Sequence, residues 1–174
     1  VGAIAERNVS DILLEGLKRL EYRGYDSAGI ALLNSNSEKL CDLKTVGKVE
    51  KLVKSATKAK LRGNLGIAHT RWATHGKPTV ANAHPHNSAK ELFIAHNGII
   101  ENYQRLRAIL KKDGYSFKTE TDSETVAHLI HKERKGGKVS LVDATRKTIR
   151  KLEGAYGLCV IDKTLPDQIV VARS

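Results

Sequence analysis

The order of strand and helix patterns constrains the fold of this chain more than any other sequence feature. Strand-like alternation stands at both ends, and helical patterns are grouped in pairs between them. A doubly wound fold needs strands and helices to alternate, so this order argues against one. Stacked, mostly antiparallel sheets with helices on their outer faces fit the order. We therefore predict an α+β fold, a four-layer αββα sandwich.

The predicted strands are short apolar or alternating runs bounded by polar or glycine-containing turns. They cover Val1–Ala5, Ala28–Leu33, Lys39–Thr45, Asn64–His69, Leu92–His96, Ala155–Ile161 and Gln168–Ala172. Five amphipathic helices are predicted, starting near Ser10, Val49, Tyr103, Thr121 and Ser140. Residues 76–90 show neither period, which predicts a long loop of the kind that compact domains keep for a functional reason.

Three helix details follow from the same patterns. In the first helix the inward positions are Ile12, Leu13, Leu17 and Leu20, and in the fifth they are Val142, Ile149 and Leu152. The first helix is predicted to end at Tyr22-Arg23-Gly24, with Gly24 in the left-handed cap conformation. Thr121 and Glu124 form a capping box for the fourth helix.

Composition indicates one globular domain over residues 1–174, with 40% apolar residues and two cysteines. No run approaches the roughly 18 apolar residues of a membrane span, and no signal peptide is recognised. Cys41 and Cys159 lie in predicted strands, so we expect buried free thiols and a cytoplasmic location. Because the chain contains no Met, even at position 1, we expect it to be part of a larger protein.

The net charge of +11 would suit a polyanion such as a nucleic acid. However, the Lys and Arg residues are spread over predicted helix surfaces, and the chain has only eight aromatic residues to interleave with them. We therefore favour a solvated basic surface over a nucleic-acid interface.

The first candidate site is the polar loop that follows the strand Asn64–His69. Arg71 carries a planar fork of donors that can hold a carboxylate through two parallel hydrogen bonds, although a surface ion pair is the alternative. Trp72, the only Trp, suits a lid over a ligand. Thr74 and His75 add a hydroxyl and an imidazole, residue types that more often stabilise turns. This loop is predicted to clamp a ligand.

The second candidate site is Asn97-Gly98, which follows the strand Leu92–His96. This dipeptide is the commonest two-residue hairpin turn, but Ile99 and Ile100 lead towards a helix. A strand-to-helix turn presenting an amide and a backbone N–H would form an oxyanion hole.

Asp122 and the histidines leave two interpretations each. Asp122, in the first turn of the fourth helix, is either a partner of the helix dipole or the counter-charge of a substrate ammonium. Five histidines lie at or near the two candidate sites: His69, His75, His84, His86 and His96. A metal site is one interpretation of these histidines. However, no Cys or carboxylate stands at ligand spacing in the predicted loop of residues 76–90, so no metal site is predicted.

Several segments in order resemble the glutamine-hydrolysing domain of glucosamine-6-phosphate synthases, class II amidotransferases of the N-terminal-nucleophile hydrolase group. The resemblance covers essentially all 174 residues. Its specific segments are residues 20–29 (LEYRGYDSAG), 66–76 (GIAHTRWATHG), 82–86 (NAHPH), 96–102 (HNGIIEN) and 120–124 (ETDSE). It implies the N-terminal-nucleophile type of αββα sandwich.

The resemblance also implies how the domain binds L-glutamine. Arg71 and His75 would hold the α-carboxylate of glutamine. Asp122 and Thr74 would hold its α-ammonium. No cofactor and no metal are implied.

For catalysis, the resemblance implies an oxyanion hole formed by Asn97 and Gly98. Trp72 would close over the site and keep ammonia from water, and Arg23 would lie near the nucleophile. The ammonia would pass to an isomerase domain beyond Ser174, which would convert fructose 6-phosphate to glucosamine 6-phosphate. A homo-oligomer formed through the parent protein is expected, with neither nucleic acid nor membrane as a partner.

One departure concerns the nucleophile. The family has its catalytic Cys about three residues before the position of Val1, and that residue's own α-amine acts as the base. Cys41 and Cys159 are interior residues without a free α-amine, so we predict that the chain as given binds glutamine weakly and does not hydrolyse it. The alternatives are a non-catalytic glutamine-binding or regulatory module and a basic nucleic-acid-binding protein.

Overall fold

A computed structural model describes residues 1–35, 39–72 and 77–174, with Arg23 described by its backbone only. In these residues eight strands form two four-stranded sheets. The strands are β1 (Gly2–Ile4), β2 (Ser27–Asn34), β3 (Lys39–Val46), β4 (Leu65–Arg71), β5 (His86–Ser88), β6 (Leu92–Gly98), β7 (Tyr156–Asp162) and β8 (Val170–Arg173). The helices are α1 (Ser10–Leu20), α2 (Val49–Lys58), α3 (Tyr103–Lys112), α4 (Asp122–Arg134) and α5 (Leu141–Ile149).

The strand order is β1-β4-β2-β3 in the first sheet and β5-β6-β7-β8 in the second. Every recorded strand pair is antiparallel. The α+β class and the two antiparallel sheets predicted from the sequence are thereby confirmed. The C-terminal ends of β4 and β6 position the candidate site, because both strands end in candidate site residues.

Alternation along β2 and β6 builds three apolar layers. In β2, Ile30 and Leu32 pack against α1 and α2, whereas Ala31 and Leu33 pack against the second sheet. In β6, Phe93 faces the first sheet, while its neighbours face α4 and α5. Successive strand residues point to opposite faces, so each sheet contributes to two layers. The result is the predicted αββα order.

The helices cover the outer faces of the two sheets, and α3 packs against α4. In α1 the buried side chains are Leu13, Leu14 and Leu17, while Ile12 is 43% exposed. Our inward assignment of Ile12 is therefore wrong, and so is that of Val142 in α5, which is 38% exposed. Each helical residue rotates the side chain by about 100°, so a residue beside a buried one can face solvent.

Several predicted boundaries also change. The helix α1 ends at Leu20, and a 3₁₀ turn over Glu21–Arg23 follows it. Gly24 has φ 89° and ψ 151°, so its φ is positive but its conformation is not the left-handed helical cap we predicted. The predicted loop 76–90 contains β5, which pairs with β6. Residues Asn34–Ser37 form a polar turn in sequence between the predicted strands Ala28–Leu33 and Lys39–Thr45, and they lie partly outside the described residues.

The burial of the two cysteines differs from the prediction. Cys41 and Cys159 are free and only half-buried, which corrects the fully buried thiols we predicted. Burial raises the pKa of the Cys159 thiol. Within the described ranges, every helix is too short or too polar to span a bilayer.

Candidate functional site

The two sheets leave a cavity of about 560 Å³ at the end where β4 and β6 terminate. Val1 borders it, together with the last residues of β4, the last residues of β6 and the first residues of α4. Among its lining residues are five predicted site residues: Arg71, Trp72, Asn97, Gly98 and Asp122. The fold thus brings together residues that are up to 51 positions apart in the chain.

Arg71 is the last residue of β4 and is only 4% exposed. Its Nη1 lies 3.6 Å from Oδ1 of Asp26 and 3.5 Å from the carbonyl oxygen of Lys77. Asp26 also accepts a hydrogen bond of 2.7 Å from the Ser27 hydroxyl. A buried guanidinium needs such acceptors, and here they hold it at the cavity wall as a fixed positive charge.

Trp72 follows Arg71 at the mouth of the cavity and is 67% exposed. One side of its indole lies against the backbone of Gly24, in the turn after α1. A large apolar ring left this exposed beside a cavity is available to cover a ligand.

Asp122 begins α4, and its carboxylate is held by two donors. Oδ2 accepts the backbone N–H of Ile100 at 2.9 Å, and Oδ1 accepts the Ser123 hydroxyl at 3.2 Å. Thr121 caps the helix by accepting the backbone N–H of Glu124, as predicted. Glu124 does not bond back to Thr121, because its carboxylate accepts the backbone N–H groups of residues 118 and 119 instead. The capping box is therefore one-sided.

Asn97 and Gly98 are the last residues of β6 and are exposed on the cavity wall. They pair with Gly157 and Tyr156 of β7, so the hairpin turn that this dipeptide usually forms is absent at this place. Gly98 has φ 128°, and a Cβ on it would lie 2.2 Å from the carbonyl oxygen of Ala155. Only glycine fits there, which lets the backbone turn from the strand towards α3.

A layer of imidazoles forms the inner wall of the cavity. The Ser123 hydroxyl lies 2.7 Å from Nδ1 of His96 and 3.0 Å from Nε2 of His84. The ring of His69 lies 4.7 Å from that of His84. Burial lowers the pKa of His69 to about 3 and that of His84 well below 6.5. These two rings are therefore neutral at pH 7 and add no charge to the site.

Some predicted residues cannot be placed in the site. Thr74 and His75 lie outside the described residues. The backbone of Arg23 is in the 3₁₀ turn that precedes Gly24, and its side chain is outside the described part of the structure. Cys41 and Cys159 do not line the cavity.

Sequence reasoning missed two residues that contact Arg71 and Asp122. It assigned no role to Asp26 or Ser123, and it considered His84 and His96 only as metal ligands. The signal was present, since Asp26 and Ser123 stand next to predicted elements in the quoted segments. In the described ranges, no group of three or more His, Cys, Asp and Glu side chains is arranged to hold a metal ion.

Comparison with known proteins agrees with this geometry. The family model of the glutamine amidotransferase domain matches residues 69–174. Two relatives named glutamine–fructose-6-phosphate aminotransferase (isomerizing), from Idiomarina loihiensis and Pseudomonas putida, are 54% and 53% identical over all 174 residues. The chain spans 28% of the length of each of these relatives.

Solved structures agree as well. The Bacillus subtilis glutamine phosphoribosylpyrophosphate amidotransferase, complexed with ADP and GMP, superposes with a TM-score of 0.81. It is 28% identical, and the match covers 99% of this chain and 36% of that one. A structure described as the allosteric regulatory enzyme of purine biosynthesis has a TM-score of 0.78 at 30% identity, over 94% of this chain and 34% of that one. The chain belongs to the glutamine amidotransferase domain family.

Proposed function

We propose that this domain binds L-glutamine and, with its nucleophile present, hydrolyses it to glutamate and ammonia. In the parent enzyme the ammonia would pass to an isomerase domain that makes glucosamine 6-phosphate from fructose 6-phosphate. The names of the relatives, which are 54% and 53% identical over the whole chain, support glutamine and fructose 6-phosphate as the substrates. The single structural observation that carries the proposal is the pair of buried, opposite charges at Arg71 and Asp122 on one cavity wall.

Those two charges match the two poles of a free amino acid. The guanidinium of Arg71 would hold the α-carboxylate, and the carboxylate of Asp122 would hold the α-ammonium. Both groups are already fixed by protein donors and acceptors, so little side-chain freedom is lost when the ligand binds. Thr74 and His75 stay predictions from the family resemblance.

The glutamine side chain would then extend towards Asn97 and Gly98. During attack on its amide carbon, the carbonyl oxygen gains negative charge. The Asn97 amide and the Gly98 backbone N–H are the donors proposed to stabilise that oxygen. Each such donor is worth about a hundred- to a thousandfold in rate. Trp72 would cover the ligand and exclude water.

The register of β1 supports an N-terminal nucleophile at this cavity. Val1 and Ala68 exchange two backbone hydrogen bonds of 2.8 Å, and Gly2 pairs with Ile67. Counting backwards in this antiparallel register, the third residue before Val1 would stand opposite Arg71. By alternation its side chain would share the face of Gly2, which is turned towards the second sheet. That is the side on which the cavity lies.

The proposed hydrolysis of glutamine uses one thiol and one water molecule. The thiol proton moves to the terminal α-amine as sulfur attacks the amide carbon, and the amine returns it to the leaving nitrogen, which departs as ammonia. Water next attacks the resulting thioester, releasing glutamate and restoring the thiol. His69 and His84 are neutral at pH 7, so neither of them places an imidazolium beside the α-amine.

We also propose a setting for this activity. The free thiols of Cys41 and Cys159 suit a reducing compartment, so we place the domain in the cytoplasm. No cofactor or metal takes part in the proposed chemistry. Homo-oligomer formation through the parent protein stays a prediction from the resemblance.

Two forms of the chain test the proposal. One is the 174-residue chain, and the other carries Cys-Gly-Ile before Val1 with the Cys as its free N-terminus. We expect both forms to bind glutamine, with a change in Trp72 fluorescence, and only the extended form to release glutamate. Binding without hydrolysis by the extended form would favour the non-catalytic module. Failure of both forms to bind glutamine would overturn the proposal.

A further inference from the structure

A second cavity, of about 620 Å³, lies between β3, β5, α4 and the segment that precedes α4. It shares no lining residue with the glutamine cavity. Charged and polar side chains on its wall include Lys44, Ser88, Lys90, Lys118, Glu124 and His128. Its chemistry is independent of the function proposed above.

The charge of this cavity is positive. Lys44, Lys90 and Lys118 line it, and in the described part of the chain none of them has a carboxylate within salt-bridge distance. Glu124 is the one carboxylate among the described lining residues. Three ammonium groups around one carboxylate leave an excess of positive charge for a ligand to neutralise.

Glu124 is occupied by the protein itself. Its Oε1 accepts the backbone N–H of Lys118, and its Oε2 accepts the backbone N–H and the hydroxyl of Thr119, each at 2.8 Å. Burial opposes ionisation of Glu124, but His128 and these donors outweigh burial and lower its pKa to about 2. The carboxylate is thus committed to shaping the wall and does not pair with the lysines.

Lys44 is the most informative cation of the three. It is half-buried on β3, and burial lowers its pKa, with Asp42 and Glu124 opposing that shift from a distance. Removing an ammonium from water costs free energy unless an anion replaces the water. An anionic ligand in this cavity would supply that counter-charge.

The remaining wall offers fixed hydrogen-bonding groups. The Ser88 hydroxyl lies 2.8 Å from Nδ1 of His128 and 2.9 Å from Nδ1 of His131, so it donates to one ring and accepts from the other. His128 is 6% exposed, and its Nε2 is buried without a hydrogen-bond partner in the described residues, 3.7 Å from Oε1 of Glu124. Its nearest charged neighbour is thus the Glu124 carboxylate, and Nε2 still has hydrogen-bonding capacity for a ligand or water.

We propose that this second cavity binds the phosphate group of a small molecule. Lys44, Lys90 and Lys118 supply the charge, and the imidazole of His128 supplies a polar contact at the wall. A phosphate dianion matches the surplus of lysines better than a neutral ligand does.

Phosphate titration of the 174-residue chain tests the proposal. The probes are inorganic phosphate and glycerol 3-phosphate, added at an ionic strength held constant with sodium chloride, with amide NMR shifts as the readout. We expect saturable shifts at Ser88 and Thr119 and none at Asn97. Saturation by inorganic phosphate alone would identify the free ion as the ligand, and saturation by both probes would identify the phosphate group of an ester.

Two charge-removing variants have matched controls. Lys44→Met should weaken binding about tenfold, as should Lys118→Met in the exposed segment before α4. Lys39→Met on the same strand and Lys112→Met at the end of α3 should bind like the parent chain, because neither residue lines the cavity. If Lys44→Met does not fold because Lys44 is half-buried, Lys118→Met still tests the proposal, because Lys118 is exposed. Absence of saturation, or binding by both cavity variants as tight as that of the parent, would overturn the proposal.

Discussion

The indole of Trp72 lies against the Cα of Gly24, so closely that a Cβ on Gly24 would come within 1.7 Å of Cζ3 of that ring. Gly24 also has a φ of 89°, which L side chains rarely adopt. The turn after α1 therefore sets the position of the aromatic ring at the mouth of the cavity. Local backbone geometry at one element thus controls a side chain on another.

Gly24→Ala should displace Trp72 and weaken glutamine binding about tenfold, because the ring can no longer reach its present position over the cavity. Trp72 is the only Trp, so its fluorescence reports the displacement directly. Gly114→Ala is the matched control, since Gly114 has the same φ of 89° but open space around it. Equal effects of the two substitutions would show that backbone strain, not ring contact, is responsible.

Arg71→Lys should weaken glutamine binding by about tenfold to a hundredfold, although the charge is kept. An ammonium cannot make the two parallel hydrogen bonds that a guanidinium makes to a carboxylate. Titration followed by Trp72 fluorescence measures the effect, and Arg62→Lys, at an exposed position outside the cavity, is the control. Unchanged affinity in Arg71→Lys would argue against a carboxylate at this position.

Acid should destabilise the fold between about pH 6.5 and pH 3. His69 has a pKa of about 3 in the folded chain, against 6.5 without burial, so the unfolded chain binds more protons in this window. The free energy of unfolding should fall by up to about 1.4 kcal/mol per pH unit for such a histidine. Urea unfolding at several pH values measures the slope, and His69→Gln should reduce it. A slope unaffected by that substitution would contradict the burial of the neutral ring.

Arg134→Met should cost about 3 to 5 kcal/mol of unfolding free energy. Nε of Arg134 donates to Oδ2 of Asp162 at 2.9 Å, and both residues are 6% exposed, so the substitution leaves a buried carboxylate without its counter-charge. Arg146→Met removes the exposed pair with Asp143 and should cost less than about 1 kcal/mol. Urea unfolding of both variants at pH 7 compares them, and similar costs would refute the distinction.

Patterns local to the chain predicted most of the elements and the site loops. The helix starts at the caps Thr121 and Ser140 match the sequence, because these caps are built from side chains within one turn. The segments around Arg71 and Asn97 were also found from local sequence, because polar and aromatic residues that cost free energy to place in a loop cluster there. The family assignment drew on those same residues.

Pairing between distant segments overrode two local preferences. Asn97-Gly98 favours a hairpin turn locally, yet β7 from some 60 residues later pairs with both residues and keeps them extended. Likewise β5 exists because β6 supplies its hydrogen-bond partners. Pairing between distant segments is invisible in a local window and overrides its preference.

The sequence by itself determined which chemical groups this protein carries, the period of each element, and the class of fold those periods allow. Only the tertiary structure decided that Arg71 and Asp122 border one cavity, that Asp26 holds the guanidinium, and that the second cavity gathers Lys44, Lys90 and Lys118. Periodicity and capping act within a few residues. A binding site depends on distances between residues on the two sheets, and the packing of the whole chain sets those distances.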